Sequence, residues 1–200
     1  MIEYTSILHL IILGMLLNNT MLYFFLGIDT LKAEYQSTRD ILKTTVTLLI
    51  LLPIISVISY LVFHNLMYQV NEVGEVTLDL TYLQTFVYAV IILVVSYVVI
   101  LIVKTISQKL YQWISSKHQQ LIVTTLLLGN VLININSVSN VLESFVFSVS
   151  ASIGYGIILW MLSKIHQQLE GAKIPVHYQG LPLQLIILSI MALIFSGFAI

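Results

Sequence analysis

Long apolar runs separated by short polar stretches dominate the chain. A membrane-spanning helix needs about 20 mostly apolar residues. Six stretches qualify, at roughly 5–27, 40–63, 84–103, 119–135, 141–163 and 181–199. The second, third and sixth are clean. LLILLPIISVISYLVF carries Pro53, which a lipid-embedded helix tolerates when neighbours satisfy the freed carbonyl. FVYAVIILVVSYVVILIV has no charged residue, and LQLIILSIMALIFSGFA ends close to the last residue. The first and fourth stretches differ. Asn18, Asn19 and Thr20 interrupt the first, between Gly14 and Gly27. The fourth is short and carries Thr124, Thr125, Gly129, Asn130, Asn134 and Asn136. Amides are costly in hydrocarbon unless something bonds them. Both stretches are therefore expected to be helices broken or bent near mid-membrane, facing protein.

The basic residues supply an orientation. Lys32, Arg39 and Lys43 follow the first span, Lys104, Lys109 and Lys117 the third, and Lys164 and Lys173 the fifth. The other connections and both tails have none, and residues 64–83 hold Glu72, Glu75 and Asp79. Basic loops stay in the cytoplasm. Six spans with loops one, three and five inside put both termini outside. The two unusual spans are three apart, so each half begins with one and the halves enter from opposite sides. That is the pattern of an inverted-topology repeat with a broken helix at the same place in each half. The fold class expected is all-α integral membrane: six transmembrane helices as two inverted three-helix repeats, the first and fourth broken.

Composition agrees. The chain of 200 residues is 58% hydrophobic and 8% charged, with mean hydropathy +1.00. Soluble domains carry about 25% charged residues. This length allows one membrane domain, 1–200, and no separate soluble domain. A formal net charge of −1 gives no basic surface for nucleic acid. There are no cysteines, which excludes disulfides, thiolate nucleophiles and thiolate metal sites. The first stretch lacks a basic leader and a small-x-small cleavage site, so it is expected to be a retained helix. No phosphate loop, dinucleotide fingerprint, nucleophile elbow or HExxH motif is present.

The candidate site is polar and uncharged. Asn18, Asn19, Thr125, Asn130 and Asn134 would face one another if the two broken spans meet. The plainer reading is interhelical hydrogen bonding, worth about 0.6 kcal/mol per contact on average in a membrane protein. Asp29 follows Gly27 near the cytoplasmic end of span one, as a ligand or proton relay or as the first residue of the loop DTLKAEYQSTRD. His9 lies inside span one, near enough to the outer surface to be interfacial. The other histidines, at 64, 118, 166 and 177, sit at loops or span ends, and no pair has metal-ligand spacing on a helix face. Ser148, Ser150, Ser152, Gly154 and Gly156 form a small-residue face suited to close helix packing. Tyr4, Tyr60, Tyr68, Tyr82, Tyr111 and Trp113 lie near span ends, as an aromatic belt would.

Three segments carry a resemblance. NNTMLYFFLGIDT looks like the asparagine-bearing first helix, ending in Phe-Leu-Gly, of the family formed by RnfA of the Rnf complex and NqrE of the sodium-translocating NADH:quinone reductase. SFVFSVSASIGYGIILWMLSKI is similar to that family's fifth helix. IPVHYQGLPLQLIILSIMALIFSGFA resembles its proline-marked loop and last helix. The resemblance covers nearly the whole chain. It implies a six-helix component of an electron-transfer complex that couples redox chemistry to ion movement. It also implies a homologous partner subunit of opposite orientation, a flavoprotein subunit, and an intramembrane 2Fe–2S cluster to which each chain gives two cysteines. Here the first cysteine position is Asp29, and the second falls at Thr125 or Leu126. Iron–sulfur clusters are held by thiolates. This chain is therefore expected not to bind the cluster through its own side chains, with flavin or quinone in the assembly left to carry electrons. Two further readings stand beside that one: a small transporter whose pathway Asn18, Asn19, Thr125 and Asn130 would line, and a structural subunit that holds partners together.

Overall fold

The computed structural model describes residues 11–12, 14–15, 19–28, 38–70, 76–109, 111–113, 115, 125–169 and 174–197. Among them are six α-helices. They are α1 (Thr20–Phe24), α2 (Thr38–Val62), α3 (Gln84–Ile106), α4 (Thr125–Ser137), α5 (Val141–Leu169) and α6 (Leu181–Ser196). Three helical stretches are long and apolar enough to cross a membrane: Thr38–Met67, Thr81–Ile106 and Val141–Leu169. α4 and α6 are apolar but shorter.

α2 and α5 pack along each other and form the centre of the molecule. Leu48, Leu51, Leu52 and Ile55 of α2 share one buried cluster with Tyr155, Ile158, Leu159 and Leu162 of α5. Small residues let the two approach. A side chain at Gly156 would meet Thr45 of α2 at 2.5 Å, and Ser152 donates from Oγ to the Leu48 carbonyl at 3.3 Å. The expected small-residue face is therefore a packing face. Its hydroxyls stay within their own helices, with Ser148, Ser150 and Ser152 bonding the carbonyls of Ser144, Val146 and Ser148. The threonines of α2 do the same, Thr44 to Asp40 and Thr47 to Lys43.

α3 is peripheral. Only 22% of its most apolar window is buried, against 61% for that of α5. Tyr88, Ile92, Ser96 and Val103 form its inward face. Phe86, Leu93, Val94 and Ile102 are exposed, as are Leu193 and Ile194 of α6. A soluble monomer rarely shows apolar patches on this scale, and lipid is the solvent that suits them.

The connection between α2 and α3 departs from the purely helical expectation. α2 widens into a π-type turn at Phe63–Met67 and passes into two short strands, β1 (Tyr68–Val70) and β2 (Val76–Asp79). These pair antiparallel, Tyr68 opposite Asp79, with an irregularity between Gln69 and Val70. Asp79 then closes a turn by accepting the Thr81 hydroxyl at 2.6 Å and the Thr81 N–H at 3.0 Å. Those bonds, the hydroxyl first, hold the exposed Asp79 carboxyl below its ordinary pKa.

α4 corrects a second expectation. It runs without interruption through Gly129 and Asn130, which do not break it. Its 13 residues span about 20 Å, short of a bilayer core of about 30 Å. Residues 116–124, which include part of the expected fourth span, lie outside the described residues. Tyr60 corrects a third. It is buried and donates its hydroxyl to the Ser139 carbonyl, tying the outer end of α2 to the turn before α5. Tyr68 and Tyr82 are exposed, as belt residues should be.

Candidate functional site

The first apolar stretch is interrupted where the polar residues stand. Asn19 is extended (φ −60°, ψ 117°) and caps α1, its Oδ1 accepting from the Met21 N–H at 3.0 Å. Its Nδ2 donates back to the Met15 carbonyl at 3.0 Å. One amide thus satisfies a donor and an acceptor that the interruption exposes. Gly154 of α5 makes room for it, because a Cβ there would run into the Met15 carbonyl and lie 2.9 Å from Asn19 Nδ2. Gly14 is equally confined, with Ser150 Cβ at 2.9 Å from where its own Cβ would be.

α1 ends after five residues in a tight turn. Phe25 is left-handed at φ 52°, and Gly27 follows at φ +81°. Non-glycine residues rarely adopt such angles, so the Phe-Leu-Gly motif builds a reversal that few sequences form. The Gly27 peptide is then held at both ends. Its N–H donates to Thr125 Oγ1 at 3.1 Å, and its carbonyl accepts from the Tyr155 hydroxyl at 3.1 Å. A Cβ on Gly27 would lie 2.8 Å from that hydroxyl. Between the two left-handed residues, Leu26 projects against α4 at Gly129, where a side chain would collide with it. Thr125 and Gly129 are one turn apart on α4. The interruption in the first stretch and the start of α4 therefore meet, clamped by α5.

The remaining candidates divide. Asn134 is fully buried and saturated: Nδ2 donates to the Ser144 carbonyl and to Ser148 Oγ, both at 2.9 Å, while Oδ1 accepts from Ser144 Oγ at 2.7 Å. Its role is to join α4 to α5. Asn130 is fully buried too, but makes one long contact, to Ser56 Oγ at 3.5 Å, and its Oδ1 has no partner among the described residues. Asn136 is exposed and bonds the Leu132 carbonyl of its own helix. Leu126 is a fully buried core residue. Asn18, Asp29, His9 and Tyr4 lie outside the described residues. Among the described residues no group of three His, Asp or Glu side chains converges. A groove of about 260 Å3 runs between Ile11 and Met15 on one side and Phe145, Val146, Val149, Ser150 and Ile153 on the other. Its one polar side chain, Ser150, is bonded to its own helix, so the groove suits an alkyl chain and offers nothing to a polar headgroup.

Sequence reasoning missed Tyr155 and the Leu26–Gly129 contact. Tyr155 sits between Gly154 and Gly156 in a motif that reads as packing alone. The signal was available: a tyrosine flanked by glycines in mid-span needs a partner for its hydroxyl.

The description "Rnf-Nqr subunit, membrane protein" belongs to a family whose model matches residues 7–200. This chain belongs to the Rnf-Nqr family of membrane subunits. Relatives align along its whole length. The RnfA protein of the ion-translocating oxidoreductase complex of Histophilus somni (strain 129Pt) is 27% identical over 199 residues, covering 100% of this chain and 97% of the relative. The protein of the same name from Pseudoalteromonas translucida (strain TAC 125) is 27% identical over 194 residues, 97% of this chain and 96% of its own. That of Shewanella putrefaciens (strain CN-32 / ATCC BAA-453) is 25% identical over 194 residues, 97% of each chain.

The 2Fe–2S cluster that the Rnf-Nqr resemblance implies is not matched by the residues present. One position offers the Thr125 hydroxyl, which is taken by the Gly27 N–H, or the aliphatic Leu126. Neither supplies a thiolate, and the chain contains no cysteine. The neutral hydroxyls and amides here can lock backbone and accept protons in hydrogen bonds. They have no redox chemistry of their own.

Proposed function

We propose that this Rnf-Nqr chain is the RnfA-like membrane component of an ion-translocating oxidoreductase complex, and that it holds none of the family cluster itself. It crosses the cytoplasmic membrane six times as a single domain, 1–200, built from two inverted three-helix halves with both termini outside. The observation that carries this reading is the end-to-end match to RnfA relatives, 199 residues with H. somni. The distribution of basic residues supports the orientation. The contact of Gly27 with Thr125 supports an inverted repeat whose irregular segments meet at the midplane.

In this role the Gly27 clamp is structural. Thr125 and Tyr155 satisfy a bent peptide where hydrocarbon offers no water, and so keep the two halves in register. Electrons pass through flavin or quinone carried by the assembly, which includes a homologous six-helix subunit of opposite orientation and a flavoprotein. The transporter reading loses most of its lining: Asn19 and Asn134 are spent on internal bonds and Thr125 on Gly27.

The test is mild-detergent purification of the tagged protein from its native membrane, with its companions identified and iron, flavin and quinone assayed. A flavoprotein and a homologous membrane protein are expected, with iron content unchanged by Asp29→Ala. An isolated chain or an ATPase partner without redox cofactor overturns the proposal and brings transport forward. Stoichiometric iron lost on Asp29→Ala overturns the claim about the cluster.

A further inference from the structure

Tyr97 is 64% exposed on the outer face of α3. It lies seven residues before Lys104, about 10 Å along the helix, and thirteen after Gln84, about 20 Å. With Lys104 at the cytoplasmic interface of a core about 30 Å thick, Tyr97 stands close to the midplane. Tyrosines facing lipid collect at the interfaces, where the hydroxyl is wet. Tyr97 cannot reach one. Side chains on a helix lean toward its N-terminus, which carries this hydroxyl away from Lys104 and into the middle of the membrane.

Other hydroxyls on exposed helix faces have a local remedy. Thr105, Ser189 and Ser196 bond the carbonyls of Ile102, Leu185 and Leu193 in their own helices. A phenol hydroxyl extends too far from its own backbone to do this. Tyr97 has no hydrogen-bond partner among the described residues. Its stripe is regular: Phe86, Val90, Leu93, Tyr97 and Leu101 are all exposed at spacings of three and four. This is the seam that packs against another helix.

From this geometry we infer that the Tyr97 stripe of α3 is the docking face for a membrane-spanning helix of a different subunit, one that presents a hydrogen-bond acceptor at mid-membrane depth. The inference rests on the proposed place in a complex and assigns a face to it. A second copy of this chain fits worse. Copies inserted in the same orientation would set the exposed Lys104, one heptad along the stripe, beside its own equivalent.

A photo-crosslinking residue at position 97, introduced in native membranes, tests it, with position 193 on α6 as control. Position 97 is expected to cross-link to one membrane-spanning subunit of the complex, and position 193 not to that subunit. Tyr97→Phe keeps the ring and removes the hydroxyl. It is expected to lower retention of that subunit through purification about three- to tenfold, with the thermal midpoint of the isolated chain unchanged. Cross-links to lipid alone, cross-links to a second copy, or full retention in Tyr97→Phe overturn the inference. If the complex purifies intact while position 97 meets only lipid, the docking face falls and the proposed function stands. If the chain purifies with no companion at all, both fall.

Discussion

Replacing Gly27 by alanine tests the turn on which the candidate site depends. Gly27 sits at φ +81°, where an L side chain is strained by about 1–2 kcal/mol. The new methyl would also lie 2.8 Å from the Tyr155 hydroxyl and 2.9 Å from its Cε2. Tyr155 is fully buried, so its ring has little room to retreat. Overpacking of this kind costs about 1–3 kcal/mol. Together these give about 2–5 kcal/mol, which in a chain of this size lowers the unfolding midpoint by about 4–20 °C. Thermal unfolding in a fixed detergent, followed by circular dichroism, reads the effect. Thr125→Val is the companion: it keeps the shape and removes the acceptor for the Gly27 N–H, at about 1–3 kcal/mol. Tyr155→Phe removes the atom nearest the new methyl. In the double variant Gly27→Ala with Tyr155→Phe, the loss is expected to be smaller than the sum of the two singles. Additive effects, or a Gly27→Ala protein as stable as the parent, would refute the left-handed turn and its clamp.

Further outcomes follow from the same geometry. Asn134→Ala breaks three short hydrogen bonds and is expected to destabilise by about 2 kcal/mol, while Asn130→Ala, with one contact at 3.5 Å, costs well under half of that; equal effects in chemical unfolding would contradict the assignment. Gly154→Val drives a side chain into the Met15 carbonyl, so it is expected to detach the first stretch from α5, read as new protease sensitivity in residues 1–28 while α2 and α5 stay protected. Thr81→Val removes the stronger of two bonds that hold Asp79 below its ordinary pKa. A depressed carboxyl stabilises above its unfolded pKa and loses that contribution as pH falls through the folded value. Thr81→Val is therefore expected to raise the Asp79 pKa in an infrared titration and to loosen the hairpin turn at neutral pH, the difference vanishing in acid.

The parts of the fold legible in the sequence were those that burial in lipid dictates. Continuous apolar runs located α2, α3, α5 and α6 to within a few residues, because hydrocarbon admits no other backbone solution than a helix of that length. The interruption at Asn19 was legible for the same reason. What periodicity left out is contact. Gly129 and Asn130 look like helix breakers, yet α4 runs through them: Gly129 is small to admit Leu26, and Asn130 is buried beside Ser56. Tyr60 has the sequence position of a belt residue, but the turn after α4 brings the Ser139 carbonyl within its reach. The hairpin at Tyr68–Asp79 is too short for its alternation to stand out among polar loop residues. Tyr155 was hidden because its partner, the Gly27 carbonyl, is 128 residues away in sequence.

The central claim is that the Phe25–Gly27 turn of the first stretch rests on the start of α4. Leu26 and Gly129 touch at that junction, and the chain has no cysteine of its own to confuse a cross-link. A variant carrying Leu26→Cys and Gly129→Cys, with a protease site placed in the loop between β1 and β2, tests the contact in native membranes. After treatment with mercuric ion or a copper oxidant and then protease, the two halves are expected to migrate as one band that a thiol reductant separates. Halves that separate without reductant, while cysteines at exposed Leu42 and Leu193 likewise stay unlinked, would contradict the account.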